Sequence, residues 1–429
     1  MRVRSLFVPI LFPIGAWAQA YSTWLTGSAV DLATDPQGGV CLMGGATEHD
    51  NAMRWFLQRA NGGDVLVLRA SGEDGYNDYL FSELGVAVNS VLTIRFNEAS
   101  AAQDPYIHER IRKAEAIWFA GGDQWNYVSY WRDTPIDSLV NLAVAERHIV
   151  IGGTSAGMAI LGGVYFSAEH GSVTSGQALA APYATNMTVS HEPFLEVPWL
   201  TEVITDTHYD NPDRRARHMT FMARAITDHE VDVLGIACNE YVAVCVDTAG
   251  MAHVFGEWPD YEEYAYFIQA NCATTGVPEV CTAGQPLTWY HEGVAVKAYQ
   301  VPGTMQGVNT FDLADRHTGT GGTWQDWWVI DGAFNVSTGE PMPECPVGIR
   351  VDASAQSSLQ ALGDGVYLIP GEHAPQGVHV TDALGREWRL NTAPHVDGLC
   401  FRIPSAIHGL CVVRLDRPAR TLVWKLIVS

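Results

Sequence analysis

A single hydroxyl on a tight turn is the most reactive feature of the sequence. Ser155 lies in the pentapeptide GTSAG, residues 153–157, between an apolar run at 149–152 and a second run with helical spacing. G-x-S-x-G between a strand and a helix is typical of a nucleophile elbow, whose glycines make room for the turn. The amide of Ala156 would lie at a helix N-terminus, where unpaired N–H groups favour negative charge. The pattern predicts Ser155 as a nucleophile and Ala156 as half of an oxyanion hole.

A serine nucleophile needs a base, and one of the 15 histidines lies near a group of arginines. His208 follows Asp206, and Arg214, Arg215 and Arg217 come shortly after it. Arginine side chains bind carboxylates through two parallel hydrogen bonds, so the segment combines a candidate base with a candidate anion clamp. The alternative is that these arginines only neutralise nearby acids at the end of a solvated helix.

Buried strands and helices alternate from about residue 38 to 250. The strands are continuously apolar, which predicts a mostly parallel sheet with helices on both faces, a three-layer α/β/α fold. In such sheets functional residues collect at the carboxyl ends of the strands. The predicted strands are 38–45, 64–70, 90–96, 114–122 and 149–152, and two predicted helices are 50–60 and 137–148.

Two further parts of the chain follow the core. Residues 257–345 are predicted as an irregular extension of the core at 38–256, with Trp324, Trp327 and Trp328 packing inside it. After the proline-rich break at 341–346, short alternating strands predict a small β-sandwich over 346–429.

The N-terminus indicates export. A charged start, an apolar run and the small-x-small site Ala18-Gln19-Ala20 predict a signal peptide at 1–20 and a mature chain from 21. An uncleaved anchor is the alternative, but it needs about 20 apolar residues. No later segment is long and apolar enough to cross a membrane, so we predict a secreted or cell-surface protein.

Charge and cysteine content limit the partners. The formal net charge of −23 argues against nucleic acid or an anionic membrane and suits a cationic substrate, although a solubilising acidic surface is the simpler explanation. Of eight cysteines, Cys272 and Cys281 flank a loop that a disulfide could close, whereas a bridge between Cys238 and Cys245 would be awkward. Pairing stays open. The chain has no C-x-x-C pair, so no structural metal site is expected.

Four motifs occur in the order found in one known family. They are FAGGDQ at 119–124, IGGTSAG at 151–157, DTHY at 206–209 with its downstream arginines, and LGIACNE at 234–240. Over about 38–256 the chain thereby resembles the cyanophycinase family of serine peptidases, whose superfamily includes the aspartyl dipeptidases. The resemblance implies a sheet like that of the class I glutamine amidotransferases.

The resemblance also implies roles for individual residues. Ser155 would be the nucleophile, His208 the general base, and Glu240 the carboxylate that orients the imidazole. The second oxyanion donor would come from the turn 121–123, at Gly122 and Asp123. No metal or organic cofactor is needed for this chemistry.

Four further residues would hold the substrate: Gln124 and Asp206 along an aspartyl pocket, and Arg214 and Arg217 on a carboxylate. The chain departs from the family pattern at two positions. Pro212 stands where an arginine is usual, and Asn239 where an aspartate is usual. Pro212 removes a cation from the clamp unless Arg215 replaces it, which leaves the substrate more open than the catalytic residues.

The C-terminal region resembles the sorting domain of type IX secretion. The matching segments are 378–390, 403–415 and 421–429, the last carrying Lys425, with Cys411 where an aromatic residue is usual. The secretion machinery would then be a partner. A carbohydrate-binding β-sandwich is the alternative, but no stripe of aromatic residues supports it.

The first hypothesis is therefore an exported serine peptidase that cleaves aspartyl bonds, with a cyanophycin-like β-aspartyl-arginine polymer as substrate. The second is an aspartyl or isoaspartyl dipeptidase that acts on short peptides. The third is a surface binding protein that kept the fold and lost the activity, which Pro212 and Asn239 favour. A homodimer is possible in each case.

Overall fold

The structure is a computed structural model that forms two compact units, Met1–Glu344 and Cys345–Ser429. The predicted signal peptide, except for its last two residues, and the segment around the predicted boundary at 345/346 lie outside the described residues. The described residues are 19–343, 360–363, 366–370, 378–382, 386–395, 398–404, 407, 409–416 and 421–428.

The first unit alternates strands and helices up to residue 255 and continues as strands beyond it. The strands are β1 (Tyr21–Gly27), β2 (Val40–Met43), β3 (Asp64–Arg69), β4 (Ser90–Phe96), β5 (Ala116–Phe119), β6 (Val150–Thr154), β7 (Tyr165–Phe166), β8 (Val189–Ser190), β9 (Val203–Asp206), β10 (Leu234–Cys238), β11 (Ala243–Val246), β12 (Met251–Phe255), β13 (Tyr264–Ala270), β14 (Val296–Pro302), β15 (Asn309–Asp312), β16 (Gly319–Thr320), β17 (Thr323–Ile330) and β18 (Ala333–Thr338). The α-helices are α1 (Asp50–Arg59), α2 (Pro105–Lys113), α3 (Gln124–Trp131), α4 (Pro135–Arg147), α5 (Ala156–Ala159), α6 (Ser175–Ala180) and α7 (Arg215–His229).

A ten-stranded sheet contains the strands that precede the turn 121–123 and Ser155. Its order is β1-β4-β3-β5-β6-β2-β11-β12-β15-β16, and only the run β4-β3-β5-β6-β2 is parallel. A six-stranded sheet of order β18-β17-β14-β13-β10-β9 is parallel only between β9 and β10. The fold is therefore α/β with mixed sheets, and the expectation of a mostly parallel sheet is correct only for those five central strands.

The parallel strands are buried along all or most of their length, which explains why they read as continuous apolar runs. Every residue of β2, β5 and β6 is buried. Since the carboxyl ends of parallel strands meet at one edge of a sheet, the turns after these three strands lie close together.

The segment predicted as an irregular extension contains regular strands, β13 to β18, which join both sheets. Its aromatic residues pack as expected. Trp327 is fully buried against Tyr266 and Phe334, and Trp324 packs on Tyr299.

The second unit is rich in β structure. The strands are β19 (Gln360–Gly363), β20 (Val366–Pro370), β21 (Val378–Asp382), β22 (Glu387–Leu390), β23 (Thr392–His395), β24 (Gly398–Arg402), β25 (Gly409–Asp416) and β26 (Thr421–Val428). They form two four-stranded sheets of the orders β19-β20-β24-β23 and β22-β21-β25-β26, and all their pairings are antiparallel. The sandwich and the sorting role stay predictions, and the side chains of Cys411 and Lys425 lie outside the described residues.

Two sequence expectations can be compared with the described residues. Cys281 is a buried free thiol, whereas Cys272 is disulfide-bonded. The disulfide that the sequence suggested between these two cysteines is therefore not formed. Over the parts of the chain that the structure describes, the helices are too short or too polar to span a bilayer.

Candidate active site

Ser155 lies on a strained turn between β6 and α5. Its φ of 51° is in the left-handed region that residues with a side chain seldom adopt, and its N–H donates to the Met43 carbonyl at 3.1 Å. A Cβ on Gly153 would lie 2.5 Å from the Gly157 backbone, and one on Gly157 would lie 2.1 Å from the Phe119 carbonyl oxygen. The prediction that both glycines make room for the turn is confirmed.

The structure brings the three predicted catalytic side chains into one chain of hydrogen bonds. Ser155 Oγ is 2.8 Å from His208 Nε2, and His208 Nδ1 is 2.7 Å from Glu240 Oε1. Both separations are within the range for a nucleophile, its base and the group that orients the base. The three residues follow the ends of β6, β9 and β10, which are far apart in sequence.

A pair of glycines after β2 supports this arrangement. The Gly44 carbonyl accepts from the His208 N–H at 2.8 Å, and the Gly45 carbonyl accepts from the Tyr241 N–H at 3.1 Å. Gly45 has a φ of +121°, and a Cβ there would lie 2.4 Å from the His208 ring. From sequence these glycines are predicted only as the end of the strand 38–45; two adjacent glycines that end a buried strand are the signal that could have identified their role.

Glu240 is held by the turn that follows His208. Its N–H donates to Asp210 Oδ1 at 2.9 Å, and Asn211 Nδ2 donates to its second carboxylate oxygen at 3.4 Å. The hydrogen bond from His208 lowers the pKa of the Glu240 carboxyl below its ordinary value, so the group is charged at neutral pH. Sequence reasoning missed Asp210 and Asn211, because no spacing marks a loop residue as the partner of Glu240.

The predicted oxyanion donors flank Ser155. Ala156 is the first residue of α5, and a Cβ on Gly121 would lie 3.6 Å from the Ser155 Cβ, so the turn 121–123 is next to the nucleophile. The Tyr127 hydroxyl donates to the Gly121 carbonyl at 3.1 Å and fixes that turn. Gly122 and Asp123 belong to this turn.

Asp206 and Arg217 bind each other. The side chains are 4% and 6% exposed, and Arg217 Nε donates to Asp206 Oδ2 at 2.8 Å while Nη2 bonds the other oxygen. Nη1 donates to Ser172 Oγ and the Val173 carbonyl. Burial alone would raise the pKa of Asp206, but Arg217 outweighs it and holds the pKa below the ordinary value. Two predicted substrate-binding residues therefore form a buried ion pair.

The other two predicted substrate-binding residues also make contacts within the protein. Gln124 begins α3, and its side-chain amide donates to the Phe166 carbonyl. Arg214 Nη1 donates to the Thr207 carbonyl at 2.9 Å, and burial together with the charge of Arg217 lowers the pKa of Arg214. Arg214 is half-buried, and it is the first arginine after His208 in the sequence.

The positions that depart from the family pattern have clear surroundings. Arg215 is bound to Asp213, with Nη2 to Oδ2 at 2.6 Å, so its guanidinium already has a carboxylate partner within the protein. Asn239 is buried, and its N–H donates to the Tyr264 carbonyl at 3.0 Å.

An acidic cavity of about 650 Å³ opens next to Tyr241. Tyr241, which follows Glu240, is part of its wall, and Glu48 in the same wall interacts with Thr154, which precedes Ser155. Four carboxylates and one guanidinium line it, so its charge is negative. The lining residues are Thr47, Glu48, His49, Asp50, Arg54, Tyr241, Glu257, Tyr261, Glu263 and Met305. Among the described residues no cluster of His, Cys, Asp or Glu could hold a metal ion.

The solved structures that match this chain include two peptidases of low similarity. A peptidase from an acI-B1 Actinobacterium is 14% identical and covers 52% of this chain and 89% of its own, with a TM-score of 0.37. A putative peptidase E protein from Listeria monocytogenes EGD-e is 15% identical and covers 51% and 98%, with a TM-score of 0.32.

Comparison with sequences is more informative. Cyanophycinase from Geminocystis herdmanii (strain PCC 6308) is 27% identical over 215 residues, which are 48% of this chain and 72% of the relative. Cyanophycinase from Synechococcus elongatus is 28% identical over 231 residues, 51% of this chain and 66% of the relative. The matched region thus spans about two thirds of these relatives. Residues 74–251 match the model of peptidase family S51. Together these matches support a peptidase of family S51, which indicates a hydrolase of the serine type.

Proposed function

We propose that the chain hydrolyses aspartyl peptide bonds through an acyl-enzyme on Ser155. The observation that carries this proposal is the chain of hydrogen bonds from Ser155 Oγ through His208 to Glu240 on a strained elbow. Ser155 Oγ attacks the peptide carbonyl carbon while His208 Nε2 accepts its proton. The negative oxygen is stabilised by the Ala156 amide and by the turn 121–123.

The second half of the reaction uses the same groups. His208 gives its proton to the leaving amine nitrogen as the C–N bond breaks, and the carboxylate of Glu240 stabilises the imidazolium meanwhile. His208 then accepts a proton from water, whose oxygen attacks the ester carbon, and returns it to Ser155 Oγ. The products are a free carboxylate and a free amine.

The substrate we propose is a β-aspartyl-arginine polymer of the cyanophycin type. Two observations support it: the curated relatives carry the name cyanophycinase, and the cavity lined by Glu48 and by Tyr241, the residue after Glu240, is acidic. The carboxylates of Glu257 and Glu263 and the ring of Tyr261 suit a cationic side chain next to the cleaved bond. An aspartyl dipeptidase without preference for a basic neighbour would not need that charge. Export through the signal peptide and the C-terminal domain, to the cell surface or medium, is part of the same proposal.

Covalent labelling combined with hydrolysis tests the mechanism. A fluorophosphonate probe should label the purified chain 21–429 at Ser155, and the chain should release β-Asp-Arg from cyanophycin. The Ser155→Ala variant should do neither. Turnover by that variant, or a folded wild type that neither reacts nor hydrolyses, would contradict the mechanism, and the second result would favour the binding protein that Pro212 and Asn239 suggest.

A comparison of substrates separates the two peptidase hypotheses. We expect kcat/KM for β-Asp-Arg segments of the polymer to exceed that for β-Asp-Leu by at least about tenfold, as one charged hydrogen bond allows. Glu257→Gln should remove most of that preference, because Glu257 lines the cavity, whereas Glu262→Gln, at an exposed position outside the lining, should keep it. Equal rates on the two peptides would favour the general dipeptidase.

A further inference from the structure

Two buried thiols face each other across neighbouring strands next to the site. Cys41 in β2 and Cys245 in β11 are register partners, and their sulfur atoms are 3.6 Å apart. Both residues are fully buried. The sequence gives no hint of this pair, since 204 positions separate the two residues.

The hydrogen-bond pattern of the ladder decides whether the two can be bridged. The Gly44 N–H donates to the Val242 carbonyl, which makes 44 and 242 a hydrogen-bonded pair of the antiparallel ladder. Such pairs alternate with non-hydrogen-bonded pairs, so Cys41 and Cys245, three positions further along, form a non-hydrogen-bonded pair. Cα atoms of such pairs are about 4.5 Å apart with close side chains, within the range of about 4.4–6.8 Å that disulfides span.

We propose that Cys41 and Cys245 form a disulfide when the chain folds in oxidising surroundings. The chemistry is thiol–disulfide exchange with a small disulfide such as oxidised glutathione. The thiolate of one cysteine attacks the glutathione disulfide and releases one glutathione. The second cysteine then attacks the mixed disulfide and releases the other, so two protein thiols are oxidised and one glutathione disulfide is reduced.

The bond would have to form before the strands are buried. Burial and the contact with Cys41 raise the pKa of Cys245 well above its ordinary value, and only the thiolate attacks a disulfide. In the folded chain the pair is therefore slow to react with external reagents, both to form and to break. This makes the bond a structural one, fixed by the compartment in which the chain folds.

The position of the pair links it to the catalytic geometry. β2 leads directly into Gly44 and Gly45, which accept hydrogen bonds from His208 and Tyr241, and β11 begins shortly after Glu240. The disulfide would tie together the strand whose end accepts the hydrogen bond from His208 and the strand that begins after Glu240. This inference rests on the ladder geometry and does not depend on the proposed substrate.

Refolding followed by peptide mapping tests the pair. The reduced, denatured full chain is refolded in a glutathione redox buffer, denatured again with iodoacetamide and digested without reduction. We expect a peptide pair linked through Cys41 and Cys245, two hydrogens lighter than the separate peptides, with Cys238 and Cys281 alkylated as internal controls. Alkylation of both Cys41 and Cys245 in material that had regained the native circular dichroism would overturn the proposal, as would a link from either to Cys238.

A stability measurement gives a second readout. Wild type refolded with oxidised glutathione should unfold at a higher urea concentration than the same chain refolded with a reductant, because a cross-link over 204 positions restricts the unfolded chain. Cys41→Ser should remove most of the difference, leaving only the part that reduction of the Cys272 disulfide contributes, and Cys281→Ser should keep the full difference. If Cys41→Ser fails to fold, Cys245→Ser is used in its place, and a difference as large as that of wild type in either variant contradicts the assignment.

Discussion

Two hydrogen-bonded side-chain pairs follow the same strand end, one buried and one partly exposed. Asp206 ends β9 and binds Arg217 in the interior, whereas His208, two residues later, binds Glu240 near the surface. The side chains of the first pair are 4% and 6% exposed and those of the second 25% and 19%. Within three residues, the chain thus separates a buried ion pair from a partly exposed pair that the proposed mechanism uses for proton transfer.

The difference follows from what each pair must do. A buried ion pair is retained only if further hydrogen bonds satisfy it, and Arg217 is satisfied by Ser172 and Val173 as well as Asp206. A catalytic imidazole must change its charge during each turnover, which is costly in the interior but not at a partly wet site. We therefore expect substitutions at His208–Glu240 to affect rate and substitutions at Asp206–Arg217 to affect stability.

Glu240→Gln gives the largest expected effect. The amide keeps the size of the side chain but cannot stabilise the imidazolium, and the equivalent change in a serine protease triad lowers kcat by about 10⁴. We expect a loss of about 10³–10⁴ in kcat on the β-aspartyl-arginine polymer with a urea midpoint close to wild type. A loss under tenfold would show that Glu240 does not act on His208.

Asp206→Asn should instead reduce stability. Removing one charge of a buried pair leaves Arg217 uncompensated, which typically costs about 3–5 kcal/mol of unfolding free energy. Urea denaturation measures the loss, and Asp206→Asn combined with Arg217→Met should recover part of it. If Asp206→Asn kept wild-type stability and lost activity, Asp206 would act on the substrate, as the cyanophycinase resemblance implies.

The elbow and the central strands could be predicted from sequence alone, for physical reasons. Only small residues fit around Ser155, and parallel strands buried on both faces must be apolar, so both leave a strong pattern. The antiparallel strands β13 to β18 were missed because their polar and aromatic residues hide the alternation. The Cys41–Cys245 contact and the support of Glu240 by Asp210 depend on pairing between distant segments, which no local pattern records.

His218, which is also buried, should have a smaller effect on stability, and this effect should depend on pH. Its ring lies between the Tyr209 hydroxyl and the Ile204 carbonyl, and burial lowers the pKa of His218 to about 4. Since the unfolded pKa is about 6.5, the unfolded chain binds the extra proton between these values. Stability is therefore full above pH 6.5 and falls, by at most about 1.4 kcal/mol per pH unit, as pH drops toward 4.

Urea denaturation at pH 7.5 and pH 5 checks this sign. Wild type should lose about 1–2 kcal/mol more than His218→Gln over that interval. His170→Gln, at an exposed position, should lose as much as wild type. A wild-type loss no greater than that of His218→Gln would show that another group controls the acid side.

Arg215→Ala gives the smallest expected effect and decides whether an arginine has moved to compensate for Pro212. Arg215 is bound to Asp213 and lies 5.6 Å from the centre of the Phe334 ring, at a partly exposed position. Exposed pairs contribute about 0–1 kcal/mol, so both the urea midpoint and KM should change little. Arg214→Ala, at the half-buried neighbour, serves as the comparison in the same assay. If KM rose at least tenfold in Arg215→Ala but not in Arg214→Ala, Arg215 would reach the substrate despite its bond to Asp213, and the anion clamp would be complete after all.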